Sequence, residues 1–116
     1  MSPEEINNAE VQIELSIDQA KEFLDKSEAL RRLERNEDFK KLIIEGYLEK
    51  EAVRLVGLLM DSEMQEDLEK DLINKELYGI SSMRLYLRNV HLIAAQMKNQ
   101  VARSEEVLEE LRKQDD

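Results

Sequence analysis

Residues 80–111, ISSMRLYLRNVHLIAAQMKNQVARSEEVLEEL, decide the fold. Ile80, Met83, Leu87, Val90, Ala94, Met97, Val101, Ser104, Leu108 and Leu111 step by three and four residues, and Ser104 is the one polar member of the series. Steps of that size keep side chains on one side of an α-helix, and sustained this long they make a heptad stripe. At 1.5 Å per residue the segment would be roughly 48 Å long, against about 35 Å for the diameter of a compact chain of this size. Such a helix needs something to lie against. Either the N-terminal helices are equally long and cover it, or a second copy or another protein does.

Upstream, Ser2-Pro3-Glu4-Glu5 reads as a helix start, with serine as N-cap, proline at the first helical position and Glu5 closing a capping box. Residues 9–17 are ambiguous. Val11, Ile13, Leu15 and Ile17 alternate with polar residues as in a strand, yet no other segment offers a partner, which leaves helix or a strand that pairs only with another chain. Ser16 and Gln19 have capping-box spacing, and Ile17, Ala20, Leu24, Ser27 and Leu30 follow helical steps. Asn36, followed by Glu37 and Asp38, is a good N-cap for the next helix. That segment carries Phe39, Leu42, Ile43, Tyr47, Val53, Val56 and Met60 with Leu48, Ala52, Leu55 and Leu59 on the flank, an arc wide enough for a helix covered on two sides. Gly46 and Gly57 suit a close helix crossing, since each costs about 1 kcal/mol in a helix interior. Ser62 and Gln65 again have capping-box spacing, and Gly79, before Ser81 and Ser82, either ends a helix or bends a continuous one.

The whole chain is 116 residues, which fits a single domain 1–116. Three glycines, one proline and no cysteine exclude a disulfide scaffold, a cysteine metal site and most all-β folds. No apolar run approaches the ~18–20 residues of a membrane span, and the acidic start is unlike a secretory signal, so a soluble intracellular protein is the expectation. The expected architecture is all-α: an elongated antiparallel helical bundle or hairpin of three to four helices (about 3–35, 37–60, 62–77 and 80–113) with a long C-terminal heptad helix.

Charge is unevenly distributed. The formal net charge is −10, and residues 1–38 hold eleven acids against five bases, whereas residues 77–104 carry Arg84, Arg88, Lys98 and Arg103 and no acid. Arg84, His91 and Lys98 are seven residues apart beside the apolar stripe, with Arg88 one turn on; flanking charges of this kind select partners. The alternative is that they face the chain's own acids, such as Glu14, Asp18, Glu22 and Asp25. An acidic chain argues against binding nucleic acid. His91, the only histidine, is the one side chain that ordinarily titrates near neutral pH. It lacks the Glu-x-x-His context of a bundle metal site, because Arg88 stands three residues before it. Glu105, Glu106, Glu109 and Glu110 form no calcium loop and read as a solvated face, and no phosphate-loop, metalloprotease or nucleophile-elbow motif occurs. No metal, cofactor, catalytic residue or small-molecule substrate is expected.

The stretch from Ala29 to Val56 resembles small uncharacterised helical proteins encoded by tailed bacteriophages. The likeness rests on Asn36-Glu37-Asp38-Phe39, Gly46-Tyr47-Leu48 and Ala52-Val53-Arg54-Leu55, and continues from Gly79-Ile80 through Leu87 with Tyr86, about two thirds of the chain. It implies a phage gene product tied to virion assembly, found in the host cytoplasm or the virion, and transfers no site residues. The expectation is therefore a non-enzymatic interaction protein that forms homo-oligomers and binds virion or assembly components. Ile80, Met83, Leu87, Val90, Met97, Val101, Leu108 and Leu111 would form its contact stripe, and Arg84, Arg88, His91 and Lys98 would choose the partner. The alternative is an acidic inhibitor that mimics nucleic acid toward a host protein.

Overall fold

The computed structural model describes residues 1–61, 63 and 66–115, and these form helices with no strand among them. In chain order they are α1 (Pro3–Glu34), α2 (Glu37–Phe39), a π-helical segment (Lys40–Glu51), α3 (Ala52–Leu59) and α4 (Asp67–Asp115). The fold is all-α with a long C-terminal helix.

α1 opens on a reciprocal capping box. The Glu5 amide donates to Ser2 Oγ at 3.2 Å and the Ser2 amide donates to Glu5 Oε2 at 3.3 Å. Residues 9–17 are helical, which removes the strand alternative. Their alternation becomes two opposed helical rows: Ile13 and Ile17 turn inward, while Val11 and Leu15 stand exposed. Ser16 is no cap but sits in mid-helix, where its hydroxyl accepts a bond from Gln100 Nε2 at 3.1 Å.

Asn36 does cap the next helix, its Oδ1 accepting from the Phe39 amide at 2.9 Å. α2, the π-segment and α3 then follow without a gap, and the segment ends at Leu59. π-Pairing runs from N–H(i) to C=O(i−5) and is rare beyond single turns. Here Gly46 permits it. A Cβ at that position would lie 2.8 Å from the carbonyl oxygen of Lys41, five residues back in the same helix. Passing from i−5 to i−4 pairing leaves one carbonyl without a helical donor, and the Leu48 carbonyl near the end of the segment accepts from the Arg84 guanidinium of α4. The expected close crossing at the two glycines is absent: Gly46 meets only its own helix, and nothing stands within 4 Å of a Cβ at Gly57. Nor is this segment covered on two sides, since Leu48 and Leu55 are buried while Leu42, Val53, Val56 and Met60 are exposed.

The Ser62–Gln65 capping box lies outside the described residues. α4 starts at Asp67 and continues for 49 residues, about 74 Å along its own axis. The division into helices 62–77 and 80–113 is thereby corrected to one helix. Gly79 keeps ordinary helical φ and would place a Cβ 3.5 Å from the Tyr47 hydroxyl, a normal contact. The inward positions Ile73, Leu77, Ile80, Met83 and Leu87 hold their spacing through it. Packing on both sides of the glycine outweighs its low helix propensity.

Contacts within the chain cluster into two compact units, residues 1–29 with 90–116, and residues 30–89. In the first, α1 and the C-terminal part of α4 run antiparallel. Ser27 pairs with His91, Ser16 with Gln100 and Glu14 with Arg112, so numbers fall along one helix as they rise along the other. Its buried residues include Ile6, Ile17, Ala20, Ala94, Leu108 and Leu111. The second unit is centred on Leu48, Leu55, Ile73 and Ile80, with Ile44, Tyr47, Leu59, Leu77 and Leu87 packed around them.

Candidate interaction surfaces

The heptad stripe faces its own chain. Ile80, Ala94, Leu108 and Leu111 are buried, and Met83, Leu87, Val90, Met97, Val101 and Ser104 are half-buried. Ile80, Met83 and Leu87 belong to the core around Leu48 and Leu55. In the other unit Ala94, Leu108 and Leu111 share the antiparallel seam with Ile6, Ile17 and Ala20. Of the two sources of cover open at the sequence level, the chain's own helices supply most of it.

The four flanking charges divide. Arg84 is committed to the Leu48 carbonyl. His91 Nδ1 stands 2.7 Å from Oγ of Ser27, a serine only 3% exposed. An imidazole there satisfies a buried hydroxyl inside a helix seam, a structural task. Arg88 and Lys98 remain exposed and enter no ion pair among the described residues. Arg103, on the same acid-free stretch, is also exposed, with no ion pair among the described residues. The acids expected opposite them are not there. Glu14 pairs with Arg112 at 3.3 Å, but Asp18, Glu22 and Asp25 are exposed on α1 and make no ion pair within the described residues.

Outward-facing apolar side chains repeat at helical intervals. On α1 they are Val11 and Leu15, on α3 Val53 and Val56 with Met60 just beyond, and on α4 Tyr78, Leu85 and Leu92, seven residues apart. Val53 is 73% exposed and Met60 79%. Stripe-based reading passed over these positions because the heptad pattern claims one face of each helix and assigns the remainder to solvent. A second seven-residue series, Tyr78, Leu85 and Leu92, was the signal available.

One open cleft of about 400 Å³ lies in the 30–89 unit, lined by Tyr47, Glu51, Arg54, Leu55, Glu76, Gly79 and Ile80. Two of its three charged groups, Arg54 and Glu51, are engaged with each other. Arg54 Nε donates to Glu51 Oε2 at 3.0 Å, and the Arg54 terminal nitrogen also reaches that carboxylate. The hydrogen bond from Arg54 holds the Glu51 carboxyl below the usual carboxylate range, and the same bond raises the guanidinium further. Among the described residues no three His, Asp or Glu side chains gather as a metal site, and no helix is long and apolar enough to cross a membrane.

Comparison with protein-family models, with curated protein sequences and with solved structures finds no match to this chain.

Proposed function

We propose that this chain is a non-enzymatic interaction protein of a bacteriophage, which associates with copies of itself and binds virion or assembly components in the host cytoplasm or the virion. One observation carries the interaction class: large apolar side chains recur on the outward faces of α1, α3 and α4, at the spacings by which helices recognise other helices. Single exposed leucines are ordinary on any surface; rows of them along successive turns mark docking faces. The phage setting rests on the sequence resemblance alone. In the cleft, Arg54 and Glu51 are paired with each other.

The exposed acids Asp18, Glu22 and Asp25 on α1, which enter no ion pair among the described residues, favour a second reading, mimicry of nucleic acid toward a basic host protein. The two readings differ in partner. Cross-linking a mixture of isotopically heavy and light copies, followed by mass spectrometry, separates them: heavy–light pairs are expected for self-association. A mixture yielding only heavy–heavy and light–light links, together with salt-sensitive capture of a basic host protein, would overturn it in favour of mimicry.

A further inference from the structure

Resting on that self-association reading, we infer that the acidic outer face of α1 in one copy is the docking site for the acid-free outer face of α4 in the next. On α1, Val11, Leu15, Asp18, Glu22 and Asp25 recur at three- and four-residue steps, all exposed and turned away from the buried row of Ile6, Ile17 and Ala20. On α4, Leu92, Ala95, Asn99 and Ala102 recur in the same way, exposed and turned away from Ala94 and Leu108, with exposed Arg103 on one flank and exposed Lys98, one turn after Ala94, on the other. Among the described residues, Asp18, Glu22, Asp25, Lys98 and Arg103 form no hydrogen bond or ion pair.

Each face joins apolar residues at its N-terminal end to charges at its C-terminal end. Laid side by side and parallel, they set Leu92 beside Val11 and Leu15, Lys98 beside Asp18 and Glu22, and Arg103 beside Asp25. Ala95 and Ala102 carry no bulk, so the helix axes can approach to the short end of the usual range, about 8 Å. Like-with-like pairing is opposed by charge: α1 against α1 stacks acids, and α4 against α4 stacks bases. The contact is therefore between unlike faces, and each copy keeps a second face free. Contacts of that kind propagate into a ring or an open filament rather than stopping at a two-fold dimer.

The test is charge reversal with complementation, read as solution mass. Asp18→Lys with Glu22→Lys gives a chain whose two faces are both basic, and Lys98→Glu with Arg103→Glu gives one whose faces are both acidic. All four positions are exposed, and circular dichroism checks that helicity is retained. Each variant alone is expected to lose association by about tenfold or more, and an equimolar mixture to recover the wild-type mass. Variants that keep the wild-type mass would overturn this interface while leaving self-association standing, and so would a mixture that stays monomeric beside an associating wild type. A wild-type chain that is itself monomeric at every concentration would overturn both.

Discussion

Glycines 46 and 57 occupy the same run of helix and have opposite surroundings. At Gly46 an added methyl group would press on the Lys41 carbonyl oxygen, a backbone atom that moves only if the π-pairing moves. At Gly57 it would enter open space. Gly57→Ala should thus raise stability by about 0.5–1 kcal/mol through helix propensity, and Gly46→Ala should lower it by about 1 kcal/mol or more. Urea denaturation of the two variants checks this, and equal gains at both sites would contradict the π-helical geometry. Glu51 sets a pH dependence at the same scale. Its carboxyl is held below the ordinary range by Arg54, so the unfolded chain binds the proton more readily. The associated stability is complete above the ordinary carboxylate range and is lost as pH falls through the lower, folded value. Between about pH 6 and about pH 3, Glu51→Gln should lose slightly less melting temperature than wild type; an identical decline would show that the exposed pair contributes nothing.

At the scale of elements, Arg84 ties α4 to the π-segment. Arg84→Met leaves the Leu48 carbonyl without its donor and should cost about 1–3 kcal/mol, whereas Arg88→Met, which breaks no bond, should stay within about 0.5 kcal/mol of wild type. Comparable losses in the two would remove the special role of Arg84. The stripe has its own consequence. Leu87 and Val90 are half-buried against their own chain, so Leu87→Asp with Val90→Asp should lower the melting temperature of the folded chain itself. A variant as stable as wild type but altered in mass would return the stripe to an intermolecular role. Local signals account for what was legible here: the Ser2–Glu5 box and the Asn36 cap form within a single turn, and the spacing of residues 80–111 is helical wherever it is packed. The π-segment was not legible, because it depends on a carbonyl completed by a residue 36 positions away. The continuity of α4 was not decided either. Gly79 beside two serines reads as the end of a helix or as a bend in a continuous one, and only packing that reaches it from Tyr47 and Ile80 chooses between them.

For the whole molecule, the sequence carried the fold class and the strong charge imbalance, but not which of the charged side chains the chain engages itself. Composition located the acid-free stretch 77–104, yet not that Arg84 and His91 spend their polar groups inside the chain while Lys98 and Arg103 do not. Which cations are free depends on which side of a helix the chain covers first. With the stripe enclosed, the proposed association is assigned to the outward faces, where exposed apolar side chains sit beside exposed charges of opposite sign on α1 and α4. Screening shortens the reach of such charges to about 3 Å at molar salt, so the proposed association through them would weaken there while the enclosed core would not. Sedimentation equilibrium of the wild-type chain, over about a hundredfold range of concentration at low and high salt, tests this directly. Self-association through the outer faces predicts a mass that climbs above 13.6 kDa with concentration at low salt and returns toward 13.6 kDa at high salt. A mass of 13.6 kDa at every concentration and both salt strengths would contradict it.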